Sequence, residues 1–159
     1  MPRAVSKPPP LQTRLICRIH AELGEVQDIG QVPGGRRRVV PIAGGRVEGP
    51  QLQGAILPGG ADWQVIAADG TVAVEARYTL RADDGGLILV HSRGVRNGDA
   101  AVMARLLAGE DVNAEEYYFR TLVTLESSAP AHAWVNGRLF IAVAAREPDA
   151  VLIDLHEIC

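Results

Sequence analysis

Residues 56–70 read ILPGGADWQVIAADG, and two glycines there deliver a carboxylate, Asp62, and an indole, Trp63, to the start of an apolar run. A carboxylate carries protons when burial lifts its pKa toward neutrality. An indole offers a ligand a flat apolar wall. Neighbours on a strand point to opposite faces. Trp63 is expected to face the enclosed space. Asp62 then satisfies backbone N–H groups at the glycine corner, unless a bulge turns it inward as a proton carrier.

A second set comes from two alternating stretches. Glu75 and Arg77 share a face in VAVEARYTL, and Tyr118, Arg120 and Glu126 share one in YYFRTLVTLES. If those faces met inside a barrel, two arginines would stand beside two carboxylates. An arginine stabilises a developing oxyanion, and a neighbouring carboxylate moves the proton. Buried ions must be paired, because stripping water from them is costly. The alternate positions are Val74, Ala76, Tyr78 and Leu80 on one stretch and Phe119, Val123 and Leu125 on the other. They read as core, which puts the polar faces in solvent. A polar lumen favours an enzyme and a dry one a carrier; the pattern leaves both open.

Trp134 and Asn136, in HAWVNGRLF, fall on one side near Gly137. They suit ligand contact at a barrel mouth or a loop that seals the barrel end. The candidates are thus Asp62, Arg77, Arg120 and Glu126 for catalysis, with Trp63, Tyr118, Trp134 and Asn136 for substrate contact.

Other chemistries lack their residues. His20, His91, His132 and His156 are scattered without ligand spacing, and the two cysteines, Cys17 and Cys159, form no CxxC. No metal site or disulfide framework is expected. There is no nucleophile elbow, P-loop or dinucleotide fingerprint, so no cofactor is expected either. A net charge of −3 over 159 residues argues against a nucleic-acid or acidic-membrane partner. Arg36-Arg37-Arg38 reads as a solvated strand start. No apolar run approaches a membrane span, and the N-terminus lacks a signal-peptide core. The expected location is the cytoplasm.

Strands must position these residues. Period-two alternation marks LQTRLICRIHAEL, VAVEARYTL and YYFRTLVTLES, and further strands are expected at 36–43, 46–49 running into 52–57, 63–68, 86–94, 138–146 and 150–158. Gly44-Gly45 reads as a turn. Asp69-Gly70 and Asp84-Gly85 read as two-residue hairpins with positive φ at both central positions. GDAAVMARLLAGED is a helix, with Asp99 as N-cap, a stripe of Val102, Met103, Leu106 and Leu107, and Gly109 at its end. Together these predict an all-β fold, a single antiparallel β-barrel of about eight strands with one short covering helix. It spans residues 11–159 behind a disordered Pro-rich tail, residues 1–10. A two-sheet sandwich has the same periodicity.

The blocks GRVEGPQLQGAILPGGADW, VEARYTLRADDGGLILVHSRG, EYYFRTLVTLES and AWVNGRLFIAVAAREPDAVLIDLHEI occur in that order. In them the chain resembles the domain-of-unknown-function family 3237, also called uncharacterised protein family 0311, over roughly residues 11–158. The resemblance implies a compact barrel-like domain in small soluble bacterial or fungal proteins, some beside small-molecule metabolism. It carries over no catalytic residues. Glu75 stands where the family more often has Asp, a longer arm that bears on any pairing with Arg77.

The expected function is a small-molecule-binding barrel performing cofactor-free acid/base chemistry. The reaction is an isomerisation, cyclisation or lyase step on an apolar or aromatic metabolite. The alternatives are a non-catalytic carrier and a structural or interaction module. A homo-oligomer, a dimer first, is expected.

Overall fold

The computed structural model describes Met1 and residues 6–159. Residues 2–5 of the expected tail lie outside the described residues, while residues 6–12 are exposed and carry no regular structure. The elements are β1 (Thr13–Leu23), β2 (Gln27–Val32), β3 (Gly35–Glu48), β4 (Gly54–Ile56), β5 (Gly60–Ile66), β6 (Val72–Ala82), β7 (Leu87–Gly98), α1 (Ala100–Leu107), β8 (Tyr117–Glu126), β9 (Phe140–Arg146) and β10 (Ala150–Ile158).

Every pairing is antiparallel. Going round, β3 pairs with β1, then come β10, β9, β8, β7 and β6. The gap between β6 and β3 is filled by β4 and β5 laid end to end, which closes an eight-stranded barrel. Closure leaves no long unpaired edge. Sandwich and barrel share the same alternation, and the β1–β3 ladder decides for the barrel.

Side chains alternate in and out as expected on β6 and β8. Val74, Tyr78, Leu80, Phe119, Val123 and Leu125 are buried in the lumen. One departure on β1 has a local cause. Ile16 and Cys17 are both fully buried, because the β1–β10 register slips between Leu15 and Cys17. The extra residue of a bulge reverses the parity before it, which leaves Leu15 exposed.

Three expectations need correction. Residues 36–43 and 46–49 belong to one strand, β3, because Gly44 and Gly45 stay paired with Glu22 and Ala21 of β1, and the chain bulges at Ala43 instead of turning. Gly45 has φ +140°, and a Cβ there would lie 1.9 Å from the His20 carbonyl oxygen, so β1 crosses too close for any side chain. Next, β2 is a strand where none was expected; QDIGQV has few apolar residues to betray it. Last, Asp69-Gly70 and Asp84-Gly85 are not hairpins of the expected type. Only the glycines have positive φ, and each aspartate instead accepts the backbone N–H two residues on.

The lumen has a dry end and a polar end. Ile16, Leu80, Ile88, Phe140 and Leu155 fill the dry end, each no more than 1% exposed. Burying each such side chain contributes roughly 1.5–3 kcal/mol. Val135, on a 3-10 helix spanning Ala133–Gly137, caps that end. At the other end α1 lays Met103 and Leu106 on Ile66, Val72 and Phe119. Gly109, with φ +80°, ends that helix as expected. Asp99 stands at its N-cap but makes no side-chain capping bond. No helix among the described residues is long and apolar enough to cross a membrane.

Candidate functional site

The polar end of the lumen is built from inward positions of several strands. Asp62 and Gln64 come from β5, Ser92 and Arg96 from β7, Thr121 from β8 and Arg146 from β9. They surround a cavity of about 60 Å³, whose remaining wall includes Tyr78 and apolar residues such as Ala76 and Phe119. At about 30 Å³ per water, that volume suits a small polar head group and not a whole aromatic molecule.

Asp62 enters the lumen because β5 begins at Gly60. A Cβ on Gly60 would lie 2.5 Å from the Tyr78 Cβ, so β5 starts tight against β6 and needs a glycine there. From that start, Asp62, Gln64 and Ile66 line up inward. The Asp62 Oδ1 accepts the Glu75 backbone N–H at 3.0 Å, and its Oδ2 accepts Gln64 Nε2 at 2.9 Å. Burial pushes the carboxyl above the usual carboxylate range. The two hydrogen bonds, and the charges of Arg96 and Arg38, oppose that shift without cancelling it.

Arg96 is 3% exposed. Its Nε is buried without a hydrogen-bond partner, as is Gln64 Oε1. Among the described residues no ion pair involves it. The guanidinium lies over the Phe119 ring, 5.6 Å from its centroid. Burial first, and Arg146 next, bring its pKa down to about 10. Arg38 and Arg146 are also held below the usual arginine value, chiefly by burial.

Arg96 also lines a second space of about 370 Å³ between α1 and the β5–β6 turn, with Ile66, Val72, Met103 and Leu107. Arg96 is common to the linings of this mouth and the inner cavity.

The expected orientation at the glycine corner is reversed: Asp62 faces in, and Trp63 is on the outer wall, 46% exposed. The reason is strand parity. Val65 and Ile66 are both apolar, so the pattern does not distinguish which one β5 buries. Arg77, Tyr118, Arg120 and Glu126 are on the outer face too. Arg77 is 3.6 Å from Glu75 in an exposed pair. Arg120 lies over the Tyr118 ring and donates to the Phe119 carbonyl oxygen at 2.9 Å. Glu126 is exposed, since β8 turns its apolar alternates inward. The longer arm of Glu75 reaches His91 Nε2, 3.0 Å away, as well as Arg77.

Trp134 and Asn136 are on the 3-10 helix and not on a strand. The Trp134 and Phe140 ring centroids are 6.0 Å apart. Asn136 clasps Ser127, accepting its N–H at 3.0 Å and donating to its carbonyl oxygen at 2.7 Å. Both therefore belong to the plug at the dry end.

Sequence reasoning missed Arg96 and Arg146. A strand ending at residue 94 stops just short of the first. Continuing the inward parity Ile88, Val90, Ser92, Gly94 by one step brings an arginine into the lumen, and that step was readable.

The family model described as "Protein of unknown function (DUF3237)" matches residues 11–158. The chain belongs to this family. A curated relative, a UPF0311 protein of Rhodopseudomonas palustris, is 38% identical over 150 residues, 94% of this chain and 98% of its own. The crystal structure of a "beta-barrel like protein" from Acinetobacter baumannii is 35% identical, with a TM-score of 0.85 over 96% of this chain and 99% of that one. More distant is a hydroalkoxylation enzyme of Penicillium herquei, 24% identical over 125 residues, 79% of this chain and 78% of its own. The crystal structure of an enzyme from that fungus shares the fold at a TM-score of 0.72 and 19% identity, covering 98% of this chain and 99% of that one.

Proposed function

We propose that this barrel is a cofactor-free acid/base enzyme acting on a small apolar or aromatic metabolite at the polar end of its lumen. The observation that carries this reading is Asp62, a carboxylate lining the inner cavity with its pKa raised by burial. A carrier needs no titratable group against its ligand. An acid/base catalyst needs a carboxyl that holds and releases a proton near the working pH.

Of the four residues expected to do chemistry, Asp62 alone faces this cavity. The task of holding an oxygen passes from Arg77 and Arg120 to Arg96. The reading takes the substrate head into the inner cavity and its body into the mouth beneath α1. The likeness to a hydroalkoxylation enzyme supports a cyclising addition as the reaction class. In such a step a hydroxyl adds across a carbon–carbon double bond. The oxygen–carbon bond forms as the π bond opens, and Asp62 takes the hydroxyl proton and returns it to the other alkene carbon. Nothing is oxidised or reduced.

The test uses ortho-alkenyl phenols in deuterated water with the whole protein. Wild type is expected to give a cyclised product of one hand, deuterated at the carbon that gains the proton. Asp62→Asn is expected to lose the activity. Equal rates for wild type and Asp62→Asn would remove the proposal.

Outside the lumen, Trp63, Leu122 and Leu139 line an outer groove of about 730 Å³. Leu122 is 65% exposed, a large apolar area for a free surface. This face supports a homodimer, with a second copy of the chain covering it. The cytoplasm is the compartment that suits the two free cysteines.

A further inference from the structure

Among the described residues, Arg96 is a lumen group whose bonding is unfinished in a way that water does not complete. Its guanidinium is buried, and among the described residues its Nε has no partner and no carboxylate forms an ion pair with it. The Asp62 charge bears on Arg96 without forming an ion pair with it, and its oxygens are held by other donors, Oδ1 by the Glu75 N–H and Oδ2 by Gln64. Arg38 and Arg146 add two more positive charges at this end, each close enough to bear on Arg96. They have other company: Arg38 feels Asp28, and Arg146 feels Asp149. A water molecule can satisfy the free Gln64 Oε1, but it cannot neutralise a buried guanidinium.

From this geometry, and resting on the acid/base reading of the same lumen, we infer that the protein binds its substrate as an organic monoanion. The anionic oxygen, a carboxylate or phenolate distinct from the hydroxyl that reacts, sits on Arg96. A planar oxyanion matches the guanidinium fork. The cavity of about 60 Å³ admits that head group, and the mouth of about 370 Å³, which Arg96 also lines, admits an aromatic body. The barrel wall thus selects for charge first and shape second. A neutral isostere leaves the guanidinium as unpaired as before and gains only the contacts of the mouth.

The test is equilibrium binding to the whole protein by calorimetry or NMR titration. The probes are benzoate and its neutral isostere benzamide, with 4-nitrophenolate and neutral nitrobenzene as the phenolate arm. At least one anion is expected to bind saturably and at least tenfold tighter than its neutral partner, and the stronger arm tells carboxylate from phenolate. Arg96→Met is expected to weaken that anion at least tenfold while raising the melting temperature of the free protein. A structural arginine would lower the melting temperature on removal. Asp62→Asn is expected to keep the binding or tighten it, since it removes only a competing negative charge. Loss of catalysis without loss of anion binding therefore separates the two readings. Benzamide and nitrobenzene matching their anions would overturn the inference. Failure of both anions to saturate at millimolar concentration would do so too, as would unchanged anion binding by Arg96→Met. The anion-to-isostere ratio is read on wild type, so it stands even where a variant fails to fold.

Discussion

Asp62 and Trp63, adjacent in sequence, stand on opposite sides of the barrel wall: the carboxylate lines the inner cavity, and the indole lies on the outer groove. Substituting one therefore leaves the other's surroundings intact. Trp63→Ala is expected to leave the proposed cyclising activity at its wild-type level and to change stability by less than about 1 kcal/mol, as exposed positions do. Asp62→Asn is expected to keep the fold and lose the activity. Thermal melts and the alkenyl-phenol assay on both variants check this.

Asp62 also sets a pH dependence. Its folded pKa is raised by burial, so the folded state holds the proton more tightly than the unfolded chain. Below the ordinary carboxylate pKa both states are protonated, and the group has no effect. As pH rises through the window between the ordinary and the raised value, the unfolded chain ionises first, and folding loses stability. The loss is complete above the raised pKa. Asp62→Asn lacks this term. Its stability relative to wild type is expected to improve with rising pH across that window, as urea midpoints at several pH values will show. A constant difference would contradict the shift.

The dry end predicts a different sensitivity. Phe140 is fully buried beside Trp134, so Phe140→Ala is expected to cost about 3–5 kcal/mol. Glu126→Ala, on the exposed face of β8, is expected to stay within about 0.5 kcal/mol. Urea denaturation separates the two. A large loss at Glu126 would mean that this residue has a partner the free chain lacks.

Two glycines with positive φ differ in what surrounds them. Gly59, φ +109°, has nothing within 4 Å of an added Cβ, so Gly59→Ala meets backbone strain alone, about 1–3 kcal/mol. Gly45→Ala adds a contact 1.9 Å from the His20 carbonyl oxygen and must part β1 from β3. It is expected to be clearly the worse of the two in thermal melts, and to expose the His20 and Gly45 amides to hydrogen exchange.

Barrel, helix and inward faces were legible because period two is a strong signal wherever one face is apolar, as on β6 and β8. The site was less legible, for reasons that individual residues show. On β5, Trp63 reads as the residue to bury because it is large and apolar, yet parity from Gly60 puts it outside. On β7, the apolar run fades at Ser92 and Gly94, so the strand reads as ending before Arg96. Trp134 and Asn136 sit two apart, which on a strand means one face but on a 3-10 helix means a plug. Functional positions are those where the local pattern is broken, and an arginine in a lumen breaks it.

The outer groove carries its own expectation. Leu122→Glu together with Leu139→Glu is expected to leave the barrel folded and convert the proposed homodimer to a monomer in sedimentation. A wild-type chain that sediments as a monomer would contradict that face as an interface.

The account turns on the protonation of one carboxyl, and carbon-detected NMR of the Asp62 side chain across a pH titration reads it directly. The expected result is an inflection above the ordinary aspartate value of about 3.9, moving higher still in Arg96→Met. An inflection at or below that value, unmoved by the loss of Arg96, would mean that Asp62 is an ordinary ionised aspartate and that the lumen has no proton carrier.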